Sequence, residues 1–392
     1  MKVCFFAHYS ITNSDGATLS MYNIIDEMLR RGIEVVVVLA NTRNLEGRIA
    51  EGKIKFIVAP LYGMRMDLNK KTPMTQVKFF VKSICNSIQK RKIEKVLKSE
   101  NIDIIHINGL DSSIGAEIAQ KLKIPYVWHI RQFMEADLGK KLFREKYVYR
   151  LVARASSVIA ISKDVQAKFE PLLGRKMDLV YNGVPVEKYK LEDVTRFESP
   201  VTRMLLAGRI SVQKGQMDAI KAVELLMQRG IDTVLLTLVG QGETKEYLEY
   251  VKSYVKEHEL EQKICILEHH DDLRELRRQC DIGLTCSKKE AFGRVTVENM
   301  LAKMLVIGAN TGGTLEIVED GYNGLLYEEG NPESLAGRIE YAMEHKMDMQ
   351  ILLDRGYLDS INRFSSTTLI ESILNLYLSL IHISEPTRQE AI

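Results

Sequence analysis

The 392-residue sequence has few cysteines and no long apolar segment. Its five cysteines are odd in number and form no Cys-x-x-Cys pair, which favours free thiols in a reducing compartment over a disulfide or zinc framework. No apolar run approaches the roughly 20 residues that span a bilayer. The N-terminus has a short apolar run without a cleavage site, which predicts a first strand instead of a signal peptide. Together these absences predict a cytoplasmic protein.

The sequence lacks the motifs that would indicate a nicotinamide cofactor or a metal ion. The loop after the first predicted strand has a single glycine, Gly16, and no Gly-x-Gly-x-x-Gly, so a nicotinamide-dependent oxidoreductase is disfavoured. The run from His269 to Asp272 contains possible metal ligands. Adjacent residues of a strand point in opposite directions, however, and no other ligand cluster accompanies this run. We therefore expect no metal site and no cofactor.

The apolar and polar segments alternate in the manner of an α/β protein. Residues 2–8 predict a strand, a helix of apolar spacing follows a polar loop, and residues 33–39 predict a second buried strand. This opening is the first unit of a doubly wound parallel sheet. The length suffices for two domains with separate cores.

The charge is divided unequally along the chain. Residues 1–185 contain 30 Lys and Arg against 18 Asp and Glu, whereas the remainder contains 24 against 34. A basic amphipathic helix is predicted from about 74 to 99, with an apolar stripe at Val77, Phe80, Val81, Ile84, Ile88, Ile93, Val96 and Leu97. This helix is either packed on a core with a solvated basic face or a patch for an anionic membrane surface. A second basic helix is predicted over 140–154.

One stretch combines a strand, a polar loop and a helix N-terminus. An apolar run ends at Thr285, and the loop then leads through Glu290 and Gly293 to a helix that contains Glu298. Such a helix end offers free backbone N–H groups and a positive dipole to a phosphate. A carboxylate beside a phosphate needs hydroxyl donors as partners, and sugar or ribose hydroxyls provide them.

The segment Glu290-Ala291-Phe292-Gly293 followed by Glu298, with Gly312-Gly313 beyond it, resembles the E-x7-E signature of retaining glycosyltransferases of family 4. That resemblance implies the GT-B fold, in which two Rossmann-like parallel-sheet domains face a cleft. It also implies that Glu290 contacts the donor sugar and Glu298 the nucleotide ribose. The backbone between them, through Arg294 and Val295, would receive the diphosphate. Metal-dependent sugar transferases use an Asp-x-Asp pair, which this sequence lacks.

The resemblance assigns further roles outside this segment. His129, at a strand end, would face the donor sugar, and Arg209 and Lys214 would neutralise the departing diphosphate. Other implied donor-binding residues are Gly16, Gly240, Gly242 and His270. Asp15 stands where the family usually has a first glycine.

The predicted domain organisation follows the same family. Residues 1–185 form the acceptor-binding domain, 186–200 a polar linker, 200–360 the nucleotide-sugar-binding domain and 361–380 a helix that crosses back to the first domain. Residues 381–392 resemble translated sequencing-adaptor sequence more than an evolved terminus.

The resemblance implies a metal-independent retaining glycosyltransferase whose substrate is a nucleotide-sugar. UDP is the nucleoside diphosphate expected from the family. The expected acceptor is a glycan or a lipid-linked glycan of cell-surface polysaccharide synthesis, and no nucleic-acid partner is expected. Two alternatives remain open. One is a GT-B-fold nucleotide-sugar epimerase or hydrolase, and the other is a non-catalytic sugar-nucleotide-binding subunit.

Overall fold

The computed structural model describes residues 1–7, 16–42, 45–68, 72–110, 113–135, 139–268, 270 and 272–389, without the side chains of residue 46 and of 383–389. Asp15, His269 and Asp271 lie outside the described residues. The chain divides into two compact units. The first contains Met1–Gly183 with Ser366–Ile392, and the second contains Val184–Ser365.

The first unit is built around a seven-stranded sheet in the order β3-β2-β1-β5-β6-β8-β9, whose pairs are all parallel. A small antiparallel pair, β4 with β7, lies apart from it. Its strands are β1 Lys2–Phe6, β2 Glu34–Leu39, β3 Lys55–Val58, β4 Arg65–Asp67, β5 Ile104–Asn108, β6 Tyr126–Ile130, β7 Lys140–Leu142, β8 Ser157–Ala160 and β9 Asp178–Leu179. Its helices are α1 Gly16–Arg30, α2 Glu46–Ala50, α3 Pro73–Leu97, α4 Ile114–Leu122, α5 Glu145–Ala153, α6 Lys163–Leu173 and, at the C-terminus, α15 Ser366–Gln389.

The second unit has a six-stranded parallel sheet in the order β12-β11-β10-β13-β14-β15. Its strands are β10 Thr202–Ala207, β11 Val234–Val239, β12 Ile264–Leu267, β13 Ile282–Thr285, β14 Leu305–Ala309 and β15 Leu325–Tyr327. Its helices are α7 Val186–Tyr189, α8 Gln216–Gln228, α9 Lys245–Glu257, α10 Arg274–Gln279, α11 Arg294–Leu301, α12 Thr314–Ile317, α13 Pro332–Glu344 and α14 Lys346–Phe364, with a 3₁₀ turn at Val212–Lys214. Counted from β10, this strand order is 3-2-1-4-5-6, the doubly wound arrangement of Rossmann-like domains.

Each unit has its own apolar core. In the first unit the inner strands are buried on both faces, as the continuous apolar run Val35–Leu39 illustrates. The C-terminal helix α15 completes this core with Leu369, Ile370, Ile373 and Tyr377, so the predicted return of that helix to the first domain is confirmed. No helix among the described residues is long and apolar enough to cross a membrane.

The segment 186–200, predicted to be a linker, packs into the second unit. Leu191 and Phe197 are buried there. The Arg196 guanidinium is also buried and donates hydrogen bonds to four backbone carbonyls, those of Arg278, Cys280, Ala302 and Lys303. The polar composition that suggested a linker thus includes an arginine that satisfies carbonyls at the ends of α10 and α11.

Two predicted basic helices differ from those in the structure. Residues 140–142 of the predicted helix 140–154 form strand β7 instead, paired with β4, and α5 begins at Glu145. On α3, the residues buried against the unit are Phe79, Asn86, Ile93 and Leu97. Most of the predicted apolar stripe, from Val77 to Ile88, is exposed on the opposite side of the helix.

Candidate active site

The candidate site of the second unit lies where its strand order reverses. The strands β10 and β13 are neighbours, and their connections leave toward opposite sides of the sheet. In doubly wound sheets, ligands bind in the crevice at the carboxyl ends of the strands at this point. The loop after β10 contains Arg209 and Lys214, and the loop after β13 contains Glu290. The loop with Arg209 and Lys214 and the loop with Glu290 therefore both begin at the topological switch point.

The structure brings Lys214 and Glu290 together. The Lys214 ammonium donates to Oε2 of Glu290 across 2.5 Å, and both side chains are partly exposed. Backbone contacts fix the two loops around them, since the amide of Lys288 donates to the carbonyl of Gln213 across 2.9 Å. A cation and a carboxylate therefore lie side by side, where a diphosphate and a sugar hydroxyl could each find a partner.

The two glycines after β14 support the loop that holds Glu290. The amide of Gly313 donates to the Glu290 carbonyl across 2.7 Å. A Cβ at Gly313 would lie 2.3 Å from the Phe292 carbonyl oxygen, and one at Gly312 would lie 2.6 Å from that of Glu290. Phe292 is itself buried, with its ring edge-on to Phe364. The Gly-Gly element thus lets the backbone pack directly under the signature loop.

Helix α11 begins after Gly293, whose φ of +96° suits glycine. The amides of Thr296 and Val297 already use the Gly293 carbonyl. The earlier amides of Arg294 and Val295 precede the first position that has an intrahelical acceptor, and they point toward the N-terminal end of the helix. Ala291 and Phe292 are buried just before this end. These positions suit the predicted role of the segment as an anion-binding helix terminus.

Glu298 is buried and accepts from two guanidinium groups. Its Oε2 lies 2.7 Å from Arg277 of α10, and its Oε1 lies 2.9 Å from Nε of Arg294, one turn away. Arg277 also packs over the Tyr189 ring, 5.2 Å from its centroid. The cluster has two cations for one carboxylate. Glu298 therefore belongs to a buried ion-pair network, in addition to any contact with a ribose.

Arg277 is the residue that sequence reasoning missed. It lies in a charged stretch, RELRRQ, that has the appearance of an exposed helix, yet its side chain is buried. The other two arginines of this helix, Arg274 and Arg278, are exposed. A helical count from the partly buried Leu273 and the buried Cys280 could have indicated that position 277 faces inward.

The remaining predicted donor-binding residues surround the same sheet edge. Arg209 is exposed and lies 3.2 Å from Glu243. A Cβ at Gly240 would lie 1.9 Å from the Gly208 carbonyl oxygen, so this glycine allows the loops after β10 and β11 to touch. Ile210 and Gly242 form a β-bridge between those loops. His270 follows β12 and is exposed.

In the first unit, Gly16 is the first residue of α1. His129, near the end of β6, is fully buried, with Nδ1 3.2 Å from Nε2 of His106. Burial, aided by the charge of Arg131, holds the pKa of His129 well below its ordinary value of 6.5, so the ring is neutral at pH 7. Arg131 is itself buried and donates to Asn108 and Asn182.

Among the residues that the structure describes, no cluster of three or more His, Cys, Asp or Glu side chains is arranged to hold a metal ion. The cations predicted to bind the diphosphate, Arg209 and Lys214, lie at the switch point of the second unit, and the loop after β13 adds the exposed Lys288 and Lys289. Together with the α11 terminus, such groups can balance the charge of a diphosphate.

Comparisons with known proteins identify the family of the chain. The family model described as "Glycosyl transferases group 1" matches residues 190–356, and that described as "Glycosyltransferase Family 4" matches 14–188. An uncharacterized glycosyltransferase of Methanocaldococcus jannaschii is 30% identical over 252 residues, which cover 63% of this chain and 67% of the relative. The chain belongs to the family 4 glycosyltransferases, as its E-x7-E signature indicated.

Other relatives are more distant. The capsular polysaccharide biosynthesis glycosyltransferase CapM of Staphylococcus aureus is 24% identical over 300 residues, 71% of this chain and 76% of CapM. The crystal structure of Anabaena HepE in complex with UDP has a TM-score of 0.78, with 23% identity, 97% of this chain covered and 100% of HepE. The structural likeness confirms the predicted GT-B fold with its two Rossmann-like domains. The family models and the relative from Methanocaldococcus jannaschii make the protein a glycosyltransferase.

Proposed function

We propose that this glycosyltransferase moves a sugar from a UDP-sugar to a glycan or lipid-linked acceptor, with retention of the anomeric configuration. The observation that carries the proposal is the Lys214–Glu290 pair at the switch point of the second unit. HepE, which shares the fold, has been crystallised with UDP, and this supports the choice of base. CapM is named for capsular polysaccharide biosynthesis, which supports a cell-surface glycan as the product.

The proposed mechanism assigns a role to each predicted donor-binding group at the switch point of the second unit. Lys214, Arg209 and the amides at the start of α11 stabilise the negative charge that develops on the leaving diphosphate. Glu290 holds sugar hydroxyl groups. The leaving phosphate accepts the proton of the acceptor hydroxyl as that hydroxyl attacks from the same face. No strong side-chain base is then required, and we propose that no metal ion takes part.

We further propose that α3 holds the enzyme at an anionic membrane surface. Its outward line of Met74, Val77, Phe80, Val81, Ile84 and Ile88 is exposed, with Phe80 61% accessible. Farther along the helix, the same outward line continues with Arg91, Lys92 and Lys95. Apolar side chains beside lysines fit acyl chains beneath anionic headgroups. A second copy of this basic helix would be repelled, so charge favours the bilayer as the occupant.

The proposed transfer is tested by incubating the protein with a panel of nucleotide-sugars and measuring release of the nucleoside diphosphate. Each reaction is run with and without a cell extract that contains glycan or lipid-linked acceptors. We expect one UDP-sugar to release UDP in an acceptor-dependent manner, and we expect the product, examined by NMR, to keep the anomeric configuration of the donor. An inverted product would contradict retention. Release without acceptor would indicate a hydrolase, and isomerised donor would indicate an epimerase.

A further inference from the structure

Two arginines and one glutamate of the second unit meet in a buried cluster at the start of α11. Arg294 is the first residue of this helix, Glu298 lies one turn farther on, and Arg277 approaches from α10. The side chain of Arg277 is only 3% exposed, and that of Glu298 is 10% exposed. Arg277 donates to one oxygen of the Glu298 carboxylate across 2.7 Å, and Arg294 donates to the other across 2.9 Å. We call these three side chains the arginine cluster.

The arginine cluster has one positive charge more than its carboxylate can compensate. The other polar contacts of the two guanidinium groups are with uncharged side chains. Arg277 donates to Oδ1 of Asn299 across 3.2 Å and lies over the Tyr189 ring, while Arg294 lies 3.5 Å from the Tyr189 hydroxyl. Within the described part of the chain, Glu298 is the only carboxylate that pairs with either arginine. One guanidinium would suffice to neutralise it.

The location of the extra charge makes it unfavourable until an anion binds. A buried charge without a counter-ion is costly, and the positive end of a helix disfavours a cation. The first turn of α11 has no acidic residue to offset this. Nη1 of Arg294 is buried and has no hydrogen-bond partner among the described residues. Burial acts to lower the pKa of Arg294, but the Glu298 carboxylate raises it above its ordinary value, so the guanidinium stays charged.

We propose that Arg277 strengthens phosphate binding at the α11 terminus from within the protein, because its uncompensated charge attracts an anion that completes the charge balance of the arginine cluster. This role adds to the contacts assigned to Lys214 and Arg209, and it rests on the proposed function for the identity of the anion. Arg277 is not a catalytic residue, since it acts through the cluster and the helix end. A buried charge is screened less than a surface lysine, so the affinity should grow with the phosphate charge of the ligand.

Calorimetric binding of uridine, UMP, UDP and inorganic pyrophosphate measures this dependence on charge. Arg277→Gln removes the charge, keeps an amide that can donate a hydrogen bond, and leaves Arg294 and Glu298 as a neutral pair. We expect this variant to bind uridine within about twofold of the wild type, UMP about threefold more weakly, and UDP and pyrophosphate about tenfold more weakly. Arg277→Lys, which keeps the charge, should bind UDP within about threefold of the wild type.

Arg278→Gln is the matched control, because it removes the same charge from the exposed neighbour on the same helix. It should change each affinity by less than about twofold. If Arg277→Gln does not fold, Arg294→Gln makes the same change of charge and leaves Arg277 paired with Glu298. The melting temperature of each variant shows whether it is folded, and the same graded loss of affinity is expected from either substitution.

The pattern of affinities decides the inference. An equal loss for uridine, UMP and UDP would show that Arg277 supports the fold or the nucleoside, and would overturn the role of its charge. Unchanged affinities, or a loss in Arg277→Lys as large as that in Arg277→Gln, would overturn it too, as would a wild type that binds none of the four ligands. If pyrophosphate shows the expected loss but UDP does not bind the wild type, the charge effect stands and the proposed UDP-sugar function fails.

Discussion

At the scale of single residues, the second unit places opposite charges side by side at the edge where a donor would bind. Lys214 and Glu290 come from loops after neighbouring strands and meet at 2.5 Å. Because the ammonium already compensates the carboxylate, Glu290 is better suited to hold hydroxyl groups than to attack carbon. The pair also links the two halves of the proposed chemistry, since Lys214 serves the phosphate and Glu290 the sugar.

Replacement of Glu290 tests this division of labour. We expect Glu290→Gln to lower sugar transfer at least about 100-fold, because the amide holds the sugar hydroxyls in the wrong geometry. UDP affinity should be unchanged or higher, since Lys214 loses its carboxylate partner. UDP release and calorimetric binding of UDP measure the two effects. Glu275→Gln, an exposed carboxylate on α10, is the control, and equal turnover by both variants would remove Glu290 from the site.

The buried histidines of the first unit predict how stability depends on pH. The folded-state pKa values of His106 and His129 lie below 6.5, so the unfolded chain binds more protons as the pH falls below that value. The free energy of unfolding therefore keeps its full value above pH 6.5. Below that pH it declines by up to about 1.4 kcal/mol per pH unit for each ring.

Urea unfolding at pH 7, 6 and 5 measures this decline. The decline should be shallower in His129→Asn than in the wild type, because one buried neutral ring is removed. Equal pH dependence in the wild type and His129→Asn would show that His129 is not buried in its neutral form.

At the scale of elements, the Gly-Gly turn after β14 positions the signature loop. We expect Gly313→Ala to lower the free energy of unfolding by about 1–3 kcal/mol, because its methyl group would collide with the Phe292 backbone. Donor binding should weaken as the Glu290 loop shifts. Gly337→Ala on α13 is the control, since a Cβ there meets no atom within 4 Å. A Gly313→Ala variant with wild-type stability and donor affinity would contradict this support role.

Helix α3 provides a second test at this scale. We expect Lys92→Glu with Lys95→Glu to weaken binding to vesicles containing phosphatidylserine by at least about tenfold, since each basic residue contributes about 1 kcal/mol at such a surface. Phe80→Ser should weaken it as well. Ile351→Ser with Leu358→Ser, exposed positions on α14, is the matched control. If all variants sediment equally with vesicles, the outward face of α3 is simply solvated.

The elements also show how far the sequence could predict the molecule. Strands β1, β2 and β13 and helix α11 follow local apolar runs and turn residues, so the sequence pattern located them. Strand β7 could not be found in this way, because it depends on pairing with Arg65–Asp67, more than 70 residues away. The buried position of Arg277 depends similarly on Glu298. Both sides of α3 have apolar residues. Which side is buried therefore depends on the residues of the first unit that the helix packs against.

At the scale of the whole molecule, two Rossmann-like units share one chain, and the C-terminal helix returns to the first. The second unit contains the E-x7-E signature and the Lys214–Glu290 pair. The first unit contains Gly16, the buried pair of His106 and His129, and the basic helix α3. The division of the charge, basic in residues 1–185 and acidic beyond, follows these units closely. This arrangement fits an enzyme that takes its donor on one unit and meets an anionic surface with the other.

The most direct test of this account is thermal unfolding in the presence of UDP, GDP or ADP, each with and without EDTA. Ligands that bind only the folded state raise the free energy of unfolding, by an amount that grows with the logarithm of ligand concentration divided by Kd. We expect UDP to raise the melting temperature equally with and without EDTA, and Lys214→Gln to reduce the rise. A melting temperature that no nucleotide raises, or that UDP raises only without EDTA, would contradict a metal-independent UDP-sugar site in the second unit.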